Sequence, residues 1–156
     1  MAAVDSISRA RRQEATVRSA LRILEQSLQE YGVSFNSPSA TRDYLRLRLA
    51  REEREVFACL FLTAQNQLIE YNALFFGTLT QTSVYPREIL REALRLNAGA
   101  IIIAHNHPSG KPTPSAADKY LTRVISDATA LLDVKLLDHM IVGGGETFSF
   151  AENGLL

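Results

Sequence analysis

The chain has a single cysteine, Cys59, no tryptophan and only two methionines in 156 residues. A lone thiol inside the apolar run VFACLFL makes neither a disulfide framework nor a thiolate metal cluster, which fits a reducing compartment and sets the cytoplasm as the expected location. An excess of one charge is also missing, since 17 Lys+Arg balance 17 Asp+Glu. No apolar run approaches the ~18 residues of a membrane span, so no membrane partner is expected. The opening MAAVDSISRARRQEATVRSALRIL has neither the apolar core nor the small-residue cleavage site of a signal peptide. What is there, 46% hydrophobic and 22% charged residues, is the composition of one soluble globular domain able to bury a proper core.

The charge balance is uneven along the chain. Residues 1–54 hold ten Arg against seven acidic residues, a net +3, and residues 55–156 carry the compensating −3. An arginine-biased third could meet DNA or a DNA-bound partner, although a solvated helix face explains it equally well. Val17, Leu21, Leu24, Leu28 and Tyr31 recur at steps of four and three, which predicts an amphipathic helix from about Ser6 to Glu30. Two heptads are too few to claim a coiled coil, but a homodimer through this helix stays open. YGVSFNSPSA reads as a loop that delivers Ser39 or Thr41 as the cap of a second helix, TRDYLRLRLAREE, and sets a boundary near residues 32–40.

Beyond that boundary strands and helices alternate. VFACLFL (56–62) and LIEYNALFF (68–76) flank the turn TAQNQ as a hairpin. Pro86 opens the helix PREILREALRLN, which closes at Asn97 and Gly99. AIIIA (100–104) is a strand buried on both faces that ends at His105. Ser115 caps SAADKYLTRVISDATALL, and LLDHMIV and TFSFA close the sheet around Gly143–Gly145. The fold expected is α/β, a mixed sheet sandwiched by helices, with an N-terminal helical extension.

Chemistry concentrates in HNHPSGKPTPSAAD, residues 105–118. Histidines at i and i+2 of an extended segment point the same way and can reach one ion. The turn rich in Pro and Gly brings the chain back to Asp118 at the start of the next helix. Two His and one Asp are three ligands, and a tetrahedral zinc then keeps a fourth position for water, as catalytic rather than structural zinc does. Hydrolysis also needs a carboxylate to move a proton. Glu55, at the start of a neighbouring strand, is the candidate, with Glu52, Glu53 and Glu70 left open. Ser115 is a candidate oxyanion donor. Against this, Ser115–Asp118 is by itself a capping box, and H-x-H alone is a weak motif. Nor do the three adjacent letters H-N-H reproduce the ββα site of the endonucleases named for them. His139 has no ligand-spaced partner in sequence, so a supporting role is expected of it. Arg87 and Glu88 fit a helix face, Lys111 a solvated turn, and Gly143–Gly145 no phosphate loop.

The full spacing, H-x-H, seven residues, Ser, two residues, Asp, with an upstream Glu, resembles the JAMM (MPN+) metalloprotease motif. GTLTQTSVYPREILREALRLNAGAIIIAHNHPSGKPTPSAAD followed by LLDHMIVGGGETFSFAENG is similar to the RadC family, over about residues 40–156. The resemblance implies a JAB/MPN, cytidine-deaminase-like fold, with residues 1–38 as helical extension and 39–156 as the RadC-like domain. It implies zinc on His105, His107 and Asp118, Glu55 as general acid/base and Ser115 as oxyanion donor. The activity it implies is a zinc-dependent hydrolase whose zinc-bound water attacks an amide or isopeptide bond of a peptide or protein. Asn106 stands where the eukaryotic and archaeal pattern usually has Ser or Thr, which weakens any transfer of a deubiquitinase-like substrate. Residues 1–40 are also too short for the helix-hairpin-helix region of full-length RadC proteins, so the chain resembles the short form often found in prophages and mobile elements. The family association with DNA repair carries no mechanism, and a metal-dependent nuclease and a non-catalytic module binding DNA or a protein partner are the alternatives.

Overall fold

In a computed structural model of the chain, the described residues are 2–30, 35, 38–77 and 83–156. The element order is α1 (Ala2–Glu30), α2 (Pro38–Leu49), β1 (Val56–Leu62), β2 (Leu68–Phe76), α3 (Pro86–Arg95), β3 (Ala100–Asn106), α4 (Ala116–Ala130), β4 (Lys135–Gly143) and β5 (Glu146–Ser149). The strands form one sheet in the order β2-β1-β3-β4-β5, in which only β3 and β4 run parallel. This is the expected α/β fold with a mixed sheet. β-Strand alternation divides its core in two. Val56, Leu60 and Leu62 of β1 and Ala100, Ile102 and Ala104 of β3 pack with Leu21 of α1 and Tyr44, Leu45 and Leu49 of α2. Phe57, Cys59 and Phe61, with Ile101 and Ile103, pack instead with Ile89 and Ala93 of α3 and Ile125 of α4. Hence every odd-numbered residue of β1 and β3 faces α3 and α4.

Several boundaries differ from expectation for physical reasons. α2 starts at Pro38, whose fixed φ suits a first helical turn, so Ser39 and Thr41 lie inside the helix and neither caps it. It stops at Leu49, short of the acidic pair Glu52–Glu53. α1 begins before Ser6. Its second half is docked, with Leu21 buried and Val17 and Leu24 packed beside it, and Tyr44 donating from its hydroxyl to Glu25 at 2.7 Å. Residues 7–16 are exposed. The expected seam positions Leu28, as a side chain, and Tyr31 lie outside the described residues. Asn97 closes α3 at φ 49, and Gly99 is required because a Cβ there would stand 2.8 Å from the Ala64 nitrogen. β3 runs on through Asn106, because β4 continues to pair with it there, so His105 sits within the strand rather than past its end.

Candidate metal centre

The alternation of β3 decides what each residue of His105-Asn106-His107 does. His105 is buried on the α3/α4 side, its ring stacked on Phe57, the residue opposite it on β1, at 6.0 Å. His107 leaves the strand half-exposed on the same side, its backbone N–H donating to Val142 at 2.9 Å. Asp118 arrives from the first turn of α4, fixed by the expected capping box. Ser115 Oγ accepts from the Asp118 N–H at 3.1 Å, while the Ser115 N–H and hydroxyl donate to Asp118 Oδ2 at 2.7 and 2.6 Å. His105 Nε2 and His107 Nε2 lie 2.9 Å apart, with Asp118 Oδ1 3.3 Å from the first and Oδ2 3.7 Å from the second.

Proton positions follow from the partners behind these atoms. Thr122 Oγ1 lies 2.6 Å from the Asp118 backbone carbonyl, which can only accept, so the hydroxyl donates to it. The same oxygen meets His139 Nδ1 at 2.6 Å, so that nitrogen carries a proton and donates. Burial first, and then His105 and His107, push the His139 pKa well below the usual histidine value. His139 is therefore neutral, and its Nε2 accepts from His105 Nδ1 at 2.9 Å. His105 is pushed down to about 4, by burial more than by His107, with Asp118 opposing. It is neutral too, and its Nε2 holds a bare lone pair. His107 Nδ1 faces the Lys111 carbonyl at 2.8 Å, another pure acceptor, so Nδ1 donates and the neutral form of this imidazole has its bare lone pair on Nε2.

Two imidazole lone pairs and a carboxylate thus converge with no proton of their own between them. Only a cation, whether a proton or a metal ion, satisfies all three at once. A tetrahedral zinc with ligands at 2.0–2.1 Å has edges of about 3.3 Å, and the three separations above straddle that length. All three ligand atoms lie within 4.8 Å of one another, and no other such group of three occurs among the described residues. The donor set, two nitrogens and an oxygen, is one that zinc takes.

The remaining expected residues are placed as follows. Glu55 is half-buried just before β1, its carbonyl accepting from the Gly77 N–H at 2.8 Å. The β1–β3 ladder ends at the pair Phe57–His105, so Glu55 lies two residues before that pair on one chain segment and His107 two residues after it on the other. Glu70 is elsewhere. It pairs with Phe61, opposite Ile101, roughly 13 Å of strand from His105, and its carboxylate meets Arg95 at 3.4 Å. Glu52 and Glu53 are exposed. Arg87 and Glu88 form a surface pair at 3.4 Å, as a helix face does. His139, of which a supporting role is expected, lies 2.9 Å from His105 Nδ1, and Lys111 contributes its carbonyl to His107. Thr122, one helical turn after Asp118, was legible only as spacing. Asp138, which no motif marks, is buried, accepting from the His139 and Ala151 N–H groups at 2.7 and 3.0 Å and from Ser149 at 2.6 Å. The glycine turn braces the metal loop. A Cβ on Gly143 would stand 2.9 Å from the Pro112 nitrogen, and one on Gly144 2.6 Å from the Gly110 oxygen.

A family model of the RadC-like JAB domain matches residues 35–155. The chain belongs to that family. It is 50% identical over 143 residues to the UPF0758 protein YfjY of Escherichia coli, covering 92% of this chain and 89% of that one. It is 51% identical over 140 residues to the UPF0758 protein YkfG of the same organism, covering 90% and 89%. A UPF0758 protein of Leptothrix cholodnii is 62% identical over 122 residues, 78% of this chain, but the chain spans only 55% of that relative's length. Family membership accounts for the fold, and α1 falls wholly outside the matched region. None of these names states an activity. Among the described residues no helix is long and apolar enough to cross a membrane.

Proposed function

We propose that the protein is a zinc-dependent hydrolase of the JAMM type, acting on an amide or isopeptide bond of a peptide or protein. The observation that carries it is the convergence of His105 Nε2, His107 Nε2 and Asp118, with both imidazoles locked as bare acceptors from behind. Zinc held there would act as a Lewis acid and lower the pKa of a bound water to about 7. Glu55, two residues before the Phe57–His105 pair, takes the proton from the attacking water on its carboxylate and returns it to the leaving amine. Ser115, exposed at the mouth of the site, exchanges its hydroxyl contact with Asp118 Oδ2 for one to the developing oxyanion. His139 and Thr122 hold His105 in the ligating tautomer. Residues 39–156 form the catalytic unit and 1–38 an extension, in a cytoplasmic protein.

Metal analysis by mass spectrometry, on protein purified without chelators, is the direct test. About one zinc per chain is expected in the wild type and none in His107→Ala, with the circular dichroism spectrum kept. Metal that survives His107→Ala overturns the site. A panel of isopeptide-linked and linear peptides beside single-stranded and duplex DNA then separates the chemistries, with Asp118→Ala as control. Cleavage of DNA alone would replace the peptidase with a nuclease. Salt-sensitive DNA binding that survives zinc removal, with no hydrolysis, would favour a binding module using the arginine-rich third.

A further inference from the structure

The middle residue of the motif has no function in the hydrolase outlined above, yet it is 97% buried, being 3% exposed. Standing at an even position of β3, Asn106 points away from the metal, to the face where Val56 packs with α2. There its side chain is fully engaged with one segment. Oδ1 accepts from the Val56 N–H at 2.7 Å, and Nδ2 donates to the carbonyls of Arg54 at 2.9 Å and Glu52 at 3.2 Å. Those three backbone groups bracket Glu55. The ladder pairs β1 with β3 only from Phe57 onward, so the last stretch before Glu55 is joined to the ligand strand through this amide. Other contacts also hold the segment, among them the Glu52 N–H to the Leu49 carbonyl at 3.2 Å, the Gly77 N–H to the Glu55 carbonyl and the Arg54 guanidinium over the half-exposed Phe76 ring at 4.4 Å. The last two come from the end of β2 and the residue after it, on the opposite side of β1 from β3. Through these three hydrogen bonds the Asn106 side chain links the segment to the strand that carries His105.

We infer that Asn106 is a positioning residue that sets the Glu55 carboxylate at a fixed distance from the metal, so that the H-x-H motif places both ligands and base from one strand. The inference rests on the assignment of Glu55 as the base. Only an amide of this length offers one acceptor and two donors in one plane, matching the N–H and two carbonyls it meets. Aspartate in its place would set an anion against two carbonyl oxygens.

Cobalt(II)-substituted protein tests this through its visible absorption, which reports the ionisation of the solvent ligand without any substrate. Removing a carboxylate near that ligand, in Glu55→Gln, should move the spectral pH midpoint down by about one unit or more. Asn106→Ala and Asn106→Ser should move it the same way, and Glu55→Gln combined with Asn106→Ala should move it no further than Glu55→Gln alone. Two asparagine variants are measured so that poor folding of one does not end the experiment. Asparagine variants that lose thermal stability but keep the wild-type midpoint would overturn the inference and leave Asn106 a structural clamp. An unmoved midpoint in Glu55→Gln itself would instead remove Glu55 from the metal, and with it the proposed mechanism.

Discussion

Replacing His139 with Phe tests the proton assignments at the centre most directly. The side chain is wholly buried, and its ring stacks on Phe150 at 4.5 Å and meets Phe57 edge-on at 5.9 Å, so a phenyl ring keeps the packing and removes only the nitrogens. His105 Nδ1–H then loses its acceptor, at a cost of about 1–3 kcal/mol for a buried unpaired donor. Thr122 loses less, because its hydroxyl still donates to the Asp118 carbonyl. A neutral His105 can escape the penalty by moving its proton to Nε2, which destroys the ligand lone pair. Metal affinity should therefore fall by ~10–100-fold, the range seen when partners behind metal ligands are removed, or about 1.4–2.7 kcal/mol. The two magnitudes agree because both measure the same tautomer preference. Competition titration against a chromophoric zinc chelator gives the affinity, and urea denaturation of the zinc-free protein gives the stability. Thr122→Val, which frees the far end of the relay, should show a smaller loss of the same sign. Unchanged zinc affinity in His139→Phe would refute the relay, since the phenyl ring offers no acceptor to hold the His105 proton in place.

Two further outcomes follow from the same geometry. In zinc-free protein, His105 (about 4) and His139 resist protonation when folded but take protons near pH 6.5 when unfolded. Stability is therefore fully present above pH 6.5 and should be lost on acidification below it, by up to roughly 1.4 kcal/mol per pH unit for each histidine. Urea midpoints that stay level between pH 7 and 5 would contradict the buried neutral rings. Gly144→Ala puts a Cβ 2.6 Å from the Gly110 oxygen at φ +55, so the metal loop must move. A loss of about 1–3 kcal/mol, or ~2–12 °C in the melting temperature, is expected, together with weaker zinc binding through the displaced Lys111 carbonyl. Calorimetry showing a wild-type melting temperature would mean that the turn yields freely.

Local pattern carried much of this protein. The apolar runs of β1 and β3, Pro86 at the start of α3, and the Ser115–Asp118 capping box each act over a few residues, so they could be read before any fold was known. The His105–His107–Asp118 set was legible for the same reason, since two-residue alternation and one short turn suffice to gather it. The ends of α2 and the extent of β3 were less so. A helix end depends on which residue the turn delivers, and strand length on whether a neighbour continues to pair.

Tertiary structure alone decided the rest, because it joins residues far apart in sequence. The β1–β3 register puts Glu55 two residues from the Phe57–His105 pair, while the β1–β2 register puts Glu70 beside Phe61, four residues further along β1. The parallel β3–β4 pair brings His139 behind His105, 34 residues away, and turns a histidine without a partner in sequence into the group that accepts the His105 Nδ1 proton. Asn106 reads as a spacer between two ligands until the sheet shows its amide closed around the backbone on either side of Glu55. Sequence named the atoms that can bind a metal. Only the packed sheet could fix which of their nitrogens are free to do so, since that depends on hydrogen-bond partners that the fold alone brings within reach.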